Sequence, residues 1–160
     1  MKKLVCFVLS FVLLMGCMNL PVYAEETTYP MVIHTYTSTD DFASDEWSVA
    51  QRGAYLLDGT SCIVRESVNQ ISISGATTAT QTCDKVRLTL YVERSTSYAT
   101  GYGNYDTFSY SAEDVYQLAK EISNIPVERG YYYRVKAVHS VTHNGVTETT
   151  NSVTNPISYI

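Results

Sequence analysis

The fold is decided by residues 131–152, which read YYYRVKAVHSVTHNGVTETTNS. Two runs rich in β-forming residues flank Asn144-Gly145, a pair that favours a type I′ turn because both central residues of that turn need positive φ. The segment therefore predicts an antiparallel hairpin with arms at residues 131–143 and 146–152.

The first arm also shows which of its sides is buried. Polar Arg134 and Lys136 alternate with apolar and aromatic residues, so their neighbours should point the other way. The residues expected to face the core are Tyr131, Tyr133, Val135 and Ala137. Glu148 does not fit this pattern, because pairing across a two-residue turn places it opposite Val141 on the core side. Either the end of the hairpin projects into solvent or a bulge shifts the register.

A second strand is indicated upstream, where Val86, Leu88, Leu90 and Val92 alternate with polar residues. This period-two pattern is the clearest half-buried strand in the chain. A shorter alternation, Ile71-Ser72-Ile73-Ser74, precedes it.

Residues 111–125 give conflicting local signals. Ser111 and the acidic residues after it resemble a helix start, and the apolar residues Val115, Leu118, Ala119 and Ile122 recur at helical spacing. We therefore predict a helical turn over 112–118. Residues 120–127 would serve a sandwich better as a strand, which Pro126 confines to an edge or to the strand's end, and the choice between helix and strand over 112–125 stays open.

Several short strands, frequent Ser and Thr and no long helix together predict an all-β protein. The expected architecture is a two-sheet antiparallel β-sandwich, immunoglobulin/fibronectin-like. Residues 59–160 would form this domain. Residues 25–58 are acidic and lack apolar periodicity, so they predict an irregular, loosely ordered N-terminal arm.

Length and charge limit the function. The chain has 160 residues and a formal net charge of −5, which leaves room for one ordinary domain and excludes a large multidomain enzyme. A nucleic-acid partner is disfavoured, because such proteins need a basic field to displace phosphate counterions.

Residues 1–24 have the features of a secretory signal peptide. Lys2 and Lys3 precede an apolar run of roughly 12 residues, which is shorter than the ~20 that a transmembrane helix needs, and Val22-Tyr23-Ala24 forms a small-residue cleavage region. Cleavage there would leave nine Lys and Arg against 16 Asp and Glu, a net charge of −7. Alternatively, Leu14-Met15-Gly16-Cys17 resembles a lipoprotein box that would anchor the protein through a lipid on Cys17.

Cleavage would leave Cys62 and Cys83 as an even pair in an exported protein. A disulfide between them and two separate buried thiols are equal alternatives from the sequence. Neither cysteine has a Cys or His nearby in the sequence, so a metal role is disfavoured, and no cofactor is expected.

The sequence holds no recognisable catalytic motif. There is no Gly-x-Ser-x-Gly elbow, and His139 and His143 are four apart on a predicted strand, a separation of about 13 Å that is too long for one zinc ion. We therefore expect no catalytic residues, and we expect structural roles for these histidines.

Five stretches carry a family resemblance. They are residues 52–57 (RGAYLL), 59–63 (GTSCI), 71–79 (ISISGATTA), 84–86 (DKV) and 130–139 (GYYYRVKAVH). In order and spacing they resemble a family of short exported proteins of Gram-positive Firmicutes, classed as a domain of unknown function, over about residues 52–160. The resemblance implies no activity. Separately, Ile125-Pro126 and residues 131–138 are similar to strand F of fibronectin type III domains.

The strands at 85–94 and 131–138 would be neighbours in such a sandwich, with their polar side chains on one face. The candidate ligand-binding residues on that face are Lys85, Arg87, Tyr91, Tyr132, Arg134 and Lys136. Cations mixed with tyrosine rings are suited to an anionic glycan or cell-wall polymer. Because the sequence holds no catalytic motif, we expect a secreted, non-enzymatic interaction module of unknown ligand. The alternative is a small secreted hydrolase or toxin whose site is assembled from distant residues. Its oligomeric state stays open.

Overall fold

The structure, a computed structural model, describes residues 32–49 and 54–159. These residues form eight antiparallel strands, which confirms the predicted all-β class. The strands are β1 (Val32–Thr39), β2 (Phe42–Val49), β3 (Leu56–Ser67), β4 (Gln70–Ser95), β5 (Gly103–Pro126), β6 (Tyr131–His143), β7 (Val146–Val153) and β8 (Ile157–Tyr159). The predicted signal peptide, including Cys17, lies outside the described residues.

Two long strands carry the whole architecture. β4 pairs with β5 along nearly its full length, and on its other edge it pairs first with β3 and then with β6. The strands follow the order β1-β2-β3-β4-β6-β7, with β8 also paired to β6. One continuous sheet therefore includes every strand.

The β4–β5 ribbon bends, and the sheet folds over on itself. The register of the ribbon shifts between Thr78 and Cys83 of β4, and on β5 Asp114 has a φ of 55°. A Cβ added to Gly75 would lie 2.8 Å from Leu90 Cδ2, so the two halves of β4 pack face to face. The result is a sandwich whose layers are halves of one sheet. We call them the first layer (β1–β3 and the parts of β4 and β5 paired beside β3) and the second layer (the rest of β4 and β5, with β6–β8).

The core lies between these layers and includes the residues that the alternation predicts. On β4, Val86, Leu88, Leu90 and Val92 are fully buried. On β6 the predicted inward residues Tyr133, Val135 and Ala137 are fully buried, and Tyr131 packs against their edge. Burial of such apolar surface between two sheets is the main source of stability for a sandwich.

The predicted β6–β7 hairpin is confirmed. His143 pairs with Val146 across a two-residue turn, in which Asn144 has a φ of 49° and Gly145 a φ of 77°. These are the two positive φ angles that the type I′ turn requires.

Glu148 is accommodated by a contact between distant parts of the chain. It pairs directly with Val141, without a bulge, and its carboxylate accepts hydrogen bonds from the backbone N–H groups of Tyr55 (3.0 Å) and Leu56 (2.6 Å). These donors lie where β3 begins. The carboxylate therefore provides the hydrogen-bond acceptor for the backbone N–H groups at the start of β3, and it joins the two layers.

Glu148→Ala should lower the free energy of unfolding by about 2 kcal/mol, because it leaves two half-buried backbone N–H groups without their acceptor. Glu148→Gln keeps one oxygen acceptor and should lose less. Urea unfolding measures both values, with Glu66→Ala as a control for loss of an exposed carboxylate. Equal stabilities of the Ala variant and the parent would contradict the role given to this contact.

The predicted helical turn over 112–118 is wrong, because these residues belong to strand β5. Two irregularities in the strand imitate helical spacing. Four apolar residues of β5 pair with β4: Val115 with Cys83, Leu118 with Thr77, Ile122 with Ile73 and Ile125 with Ile71. A register shift lies between the first two of these β5 residues and another between the last two, which are the places where the residues are three positions apart. Asp114 and Asn124, which both have positive φ, lie beside these shifts. The strand therefore keeps its apolar residues on one side at spacings of three and four.

The structure differs from the predicted irregular arm at residues 25–58. Strands β1 and β2 lie within this range, and β3 begins at Leu56 rather than at residue 59. The inward side of β2 includes buried Ala43 and Asp45. A small residue and a carboxylate give no apolar period, so this strand leaves little signal in the sequence.

Candidate functional site

The candidate site is the outer face of the second layer, formed by strands β5, β4, β6 and β7. The predicted neighbouring position of residues 85–94 and 131–138 is confirmed by the pairing of β4 with β6. All six candidate residues lie on the side opposite the core: Lys85, Arg87, Tyr91, Tyr132, Arg134 and Lys136. Arg87 is exposed and the other five are partly exposed.

Two of the four cations on this face are already neutralised. Lys85 Nζ lies 3.2 Å from Glu113 Oε1 across the β4–β5 pair. Arg134 Nη2 lies 2.7 Å from Glu93 Oε2, and its guanidinium stacks 4.0 Å from the ring centre of Tyr102. Arg134 therefore holds the end of the sheet to the β4–β5 connection, and its charge is largely used within the protein.

Arg87 and Lys136 are different, because neither has an ion-pair or ring partner among the described residues. Arg87 pairs in register with Ser111 on one side and Ser140 on the other. Lys136 lies directly opposite Tyr91. These two side chains are the free cations of the outer face.

Hydroxyl side chains surround Arg87, a feature that the sequence pattern of charged and aromatic residues does not indicate. They alternate along four adjacent strands on the outer face: Thr89, Ser109, Ser111, Ser140, Thr142, Thr147 and Thr149. Some are within hydrogen-bonding distance of each other, as for Thr142 and Thr147 (Oγ1–Oγ1, 2.9 Å). We call this set the hydroxyl field. Its signal in the sequence is Ser or Thr at every second position.

Tyrosines close one end of the face. Tyr132 packs edge-on against Tyr98 with ring centres 5.5 Å apart, and the Tyr102 hydroxyl donates to the Tyr98 carbonyl at 2.9 Å. Burial raises the pKa of Tyr102 to about 12. These rings support Arg134, so Tyr132 belongs to a structural cluster and Tyr91 is the candidate ring without such contacts among the described residues.

Cys62 and Cys83 are free thiols in the structure. Cys62 pairs in register with Ser74, whereas Cys83 lies nine residues farther along β4, opposite Val115. The disulfide that the sequence allowed is therefore not formed. Burial raises the pKa of both thiols, which disfavours the reactive thiolate.

The interior contains a serine–histidine pair. His139 Nε2 lies 2.9 Å from Ser152 Oγ and Nδ1 lies 3.0 Å from Thr77 Oγ1, while Ser152 in turn bonds Ser61 at 2.8 Å. His139 and Ser152 are both completely buried, and burial lowers the pKa of His139 to about 4. A substrate has no access to this serine. The pair instead links β6 and β7 of the second layer to β3 and β4 of the first.

The first layer has a shallow depression of about 380 Å³ on its surface. Its lining includes Thr60, Ser74, Ala76 and Ala119, with Lys120 and Glu121 on β5. No histidine or cysteine is part of this lining. Across residues 32–49 and 54–159, no three metal-ligating side chains come together, and no helix has the length and apolarity that a membrane crossing needs.

Comparison with known proteins gives one assignment. The model of a family of unknown function, DUF6147, matches residues 22–157. The chain therefore belongs to this family. No curated protein matches the chain in sequence.

Proposed function

We propose that this member of the DUF6147 family is a secreted, non-enzymatic interaction module of a Gram-positive bacterium. Its outer face would bind an anionic polymer of the cell wall or of a host glycan. The single observation that carries the proposal is the pair of free cations, Arg87 and Lys136, on a sheet face rich in hydroxyl groups.

Export is supported by the start of the chain. Lys2 and Lys3 precede an apolar run, and Val22-Tyr23-Ala24 follows it as a small-residue cleavage region. A lipid anchor on Cys17 is the alternative route to the cell surface. In either case the outer face would meet polymers outside the cell.

The charge distribution supports an anionic ligand. The chain has a net charge of −5, so at long range the whole protein repels an anionic polymer, and any attraction must come from a local group of cations. Arg87 and Lys136 nevertheless share one face, where two further cations are held in ion pairs with Glu113 and Glu93. A free guanidinium beside hydroxyl groups can donate paired hydrogen bonds to a carboxylate or a phosphate.

A hydrolase or toxin activity finds less support. The serine–histidine pair of the interior is closed to substrate, and a histidine with a pKa of about 4 is a weak base at neutral pH. Its Nδ1 faces the Thr77 hydroxyl rather than a carboxylate. The arrangement is suited to holding two layers together and lacks the access that catalysis requires.

The test compares two double variants that lose the same charge from different surfaces. Arg87→Ser/Lys136→Ser removes the free cations of the outer face, whereas Lys120→Ser/Arg129→Ser removes two exposed cations elsewhere. We expect the first to weaken retention of the purified protein on cell-wall polymer about tenfold or more, because each charged hydrogen bond contributes roughly 1.5–3 kcal/mol. The second should bind like the parent.

Binding by the parent should also fall as salt is raised, because mobile ions screen exposed charges. Unchanged melting temperatures would show that both variants are folded. The proposed site would be contradicted if both double variants lost retention equally, or if retention of the parent did not change with salt concentration.

A further inference from the structure

The arrangement of the outer face points to a more specific ligand, an inference that rests on the proposed function. Four side chains form a row across four strands. Arg87 of β4 pairs with Ser111 of β5 and Ser140 of β6, and Ser140 pairs with Thr149 of β7. With neighbouring strands about 4.8 Å apart, this first row is roughly 14 Å long. It offers a cation with hydroxyl groups on both sides.

A second row lies four residues farther along β4, about 13 Å away. Here Tyr91 pairs with Thr107 of β5 and with Lys136 of β6. Tyr91 is partly exposed, and its ring contacts no other ring or cation among the described residues. The second row therefore places an available aromatic ring directly beside the second free cation.

The residues between the two rows are mainly polar. Thr89 lies between them on β4, paired with Ser109 and with Val138. Thr89 and Ser109 hydroxyls are 3.3 Å apart. A polymer lying across both rows would thus pass over further hydroxyl groups. Both rows lie on the surface of one sheet, an arrangement that is suited to contacts along a chain rather than to capture of its end.

Each of these groups matches one feature of an acidic sugar chain. Hydroxyl side chains can donate to and accept from sugar hydroxyls, the two cations can pair with carboxylates, and a tyrosine ring can pack on the C–H face of a sugar ring. A polyol phosphate offers anions and hydroxyls but has no ring for Tyr91. We infer that the outer face binds a polysaccharide that carries carboxylate groups.

The experiment uses three soluble polymers with the purified protein: polygalacturonate, its fully methyl-esterified form and poly(glycerol phosphate). We expect binding to polygalacturonate that is at least about tenfold tighter than to the other two, because only this polymer supplies both sugar rings and carboxylates. Isothermal titration or affinity electrophoresis measures the difference.

Two sets of variants separate the ring and the hydroxyls from general charge attraction. Tyr91→Ser should weaken polygalacturonate binding roughly five- to tenfold, and Tyr91→Phe should restore it, since the ring provides the contact. Ser111→Val/Ser140→Val should also weaken it, whereas Thr35→Val/Thr37→Val on β1 of the first layer should not.

The outcomes distinguish this inference from the function on which it rests. Poly(glycerol phosphate) binding as tight as polygalacturonate binding, with no loss in Tyr91→Ser, would overturn the polysaccharide assignment and leave an anion-binding face. Binding to neither anionic polymer, and to no cell-wall polymer, would overturn the proposed function itself.

Discussion

Gly59→Ala should lower the free energy of unfolding by about 3 kcal/mol, because the new methyl group would overlap the imidazole of His139. An ideal Cβ at Gly59 lies 2.5 Å from both Cγ and Cδ2 of that ring and 2.9 Å from Nδ1. The ring has little freedom to move away, since hydrogen bonds to Thr77 and Ser152 hold both of its nitrogens. Either β3 or β6 must shift, and the two layers would separate locally.

Two comparisons isolate this overlap. Gly103→Ala is the matched control, because a Cβ at Gly103 has no atom within 4 Å and its stability should change little. In a His139→Ala background, adding Gly59→Ala should be nearly neutral, because the obstructing ring is gone. Chemical unfolding of the four variants measures these differences. A fully additive effect in the double variant would show that overlap with His139 is not the cause.

Gly59 illustrates which parts of the fold the sequence could predict. Alternation predicted two parts of β4 (71–74 and 85–94), β6 and the outward position of all six candidate residues, because it is a property of each strand alone. The contact of Gly59 with His139, 80 positions later, depends on the bend of β4. The inward position of Glu148 likewise has no local explanation. Its hydrogen-bond donors, the N–H groups of Tyr55 and Leu56, are 93 and 92 residues away in sequence. Such contacts belong to the packed layers and leave no local period.

The candidate site was predictable to a similar degree. The alternation of side chains along β4 and β6 placed four cations on one face. It could not show that Glu113 and Glu93 neutralise two of them, because these ion pairs depend on strand order and register. The hydroxyl field was open to prediction in part, because Ser140-x-Thr142 and Thr147-x-Thr149 alternate in the printed sequence. The whole hydroxyl field could be predicted only if β5 was recognised as a strand. The bulges at Asp114 and Asn124 hid it, because they give the apolar residues of β5 a helical spacing.

Acidification should destabilise the folded protein through His139. Burial lowers the pKa of its imidazole to about 4, whereas in the unfolded chain the group titrates near 6.5. Between these values the unfolded state binds a proton that the folded state does not, so the free energy of unfolding falls as pH falls from about 6.5 to about 4. The stabilisation is fully present above pH 6.5, and its loss amounts to about 3 kcal/mol at 1.36 kcal/mol per pKa unit.

The pH dependence of His139→Gln tests this assignment. Carboxylates also titrate near pH 4, but they are common to parent and variant, so the quantity to compare is the change in unfolding free energy between pH 7 and pH 4.5. We expect a clearly smaller change in His139→Gln than in the parent. Direct titration of the His139 ring protons by NMR provides an independent measurement.

Two results would contradict a neutral buried imidazole. One is a His139 ring that titrates near pH 6.5 in the folded protein, and the other is the same change in unfolding free energy with pH in the parent and in His139→Gln. In either case the pKa of His139 would be the same in the folded and unfolded states, and such a group contributes no dependence of stability on pH.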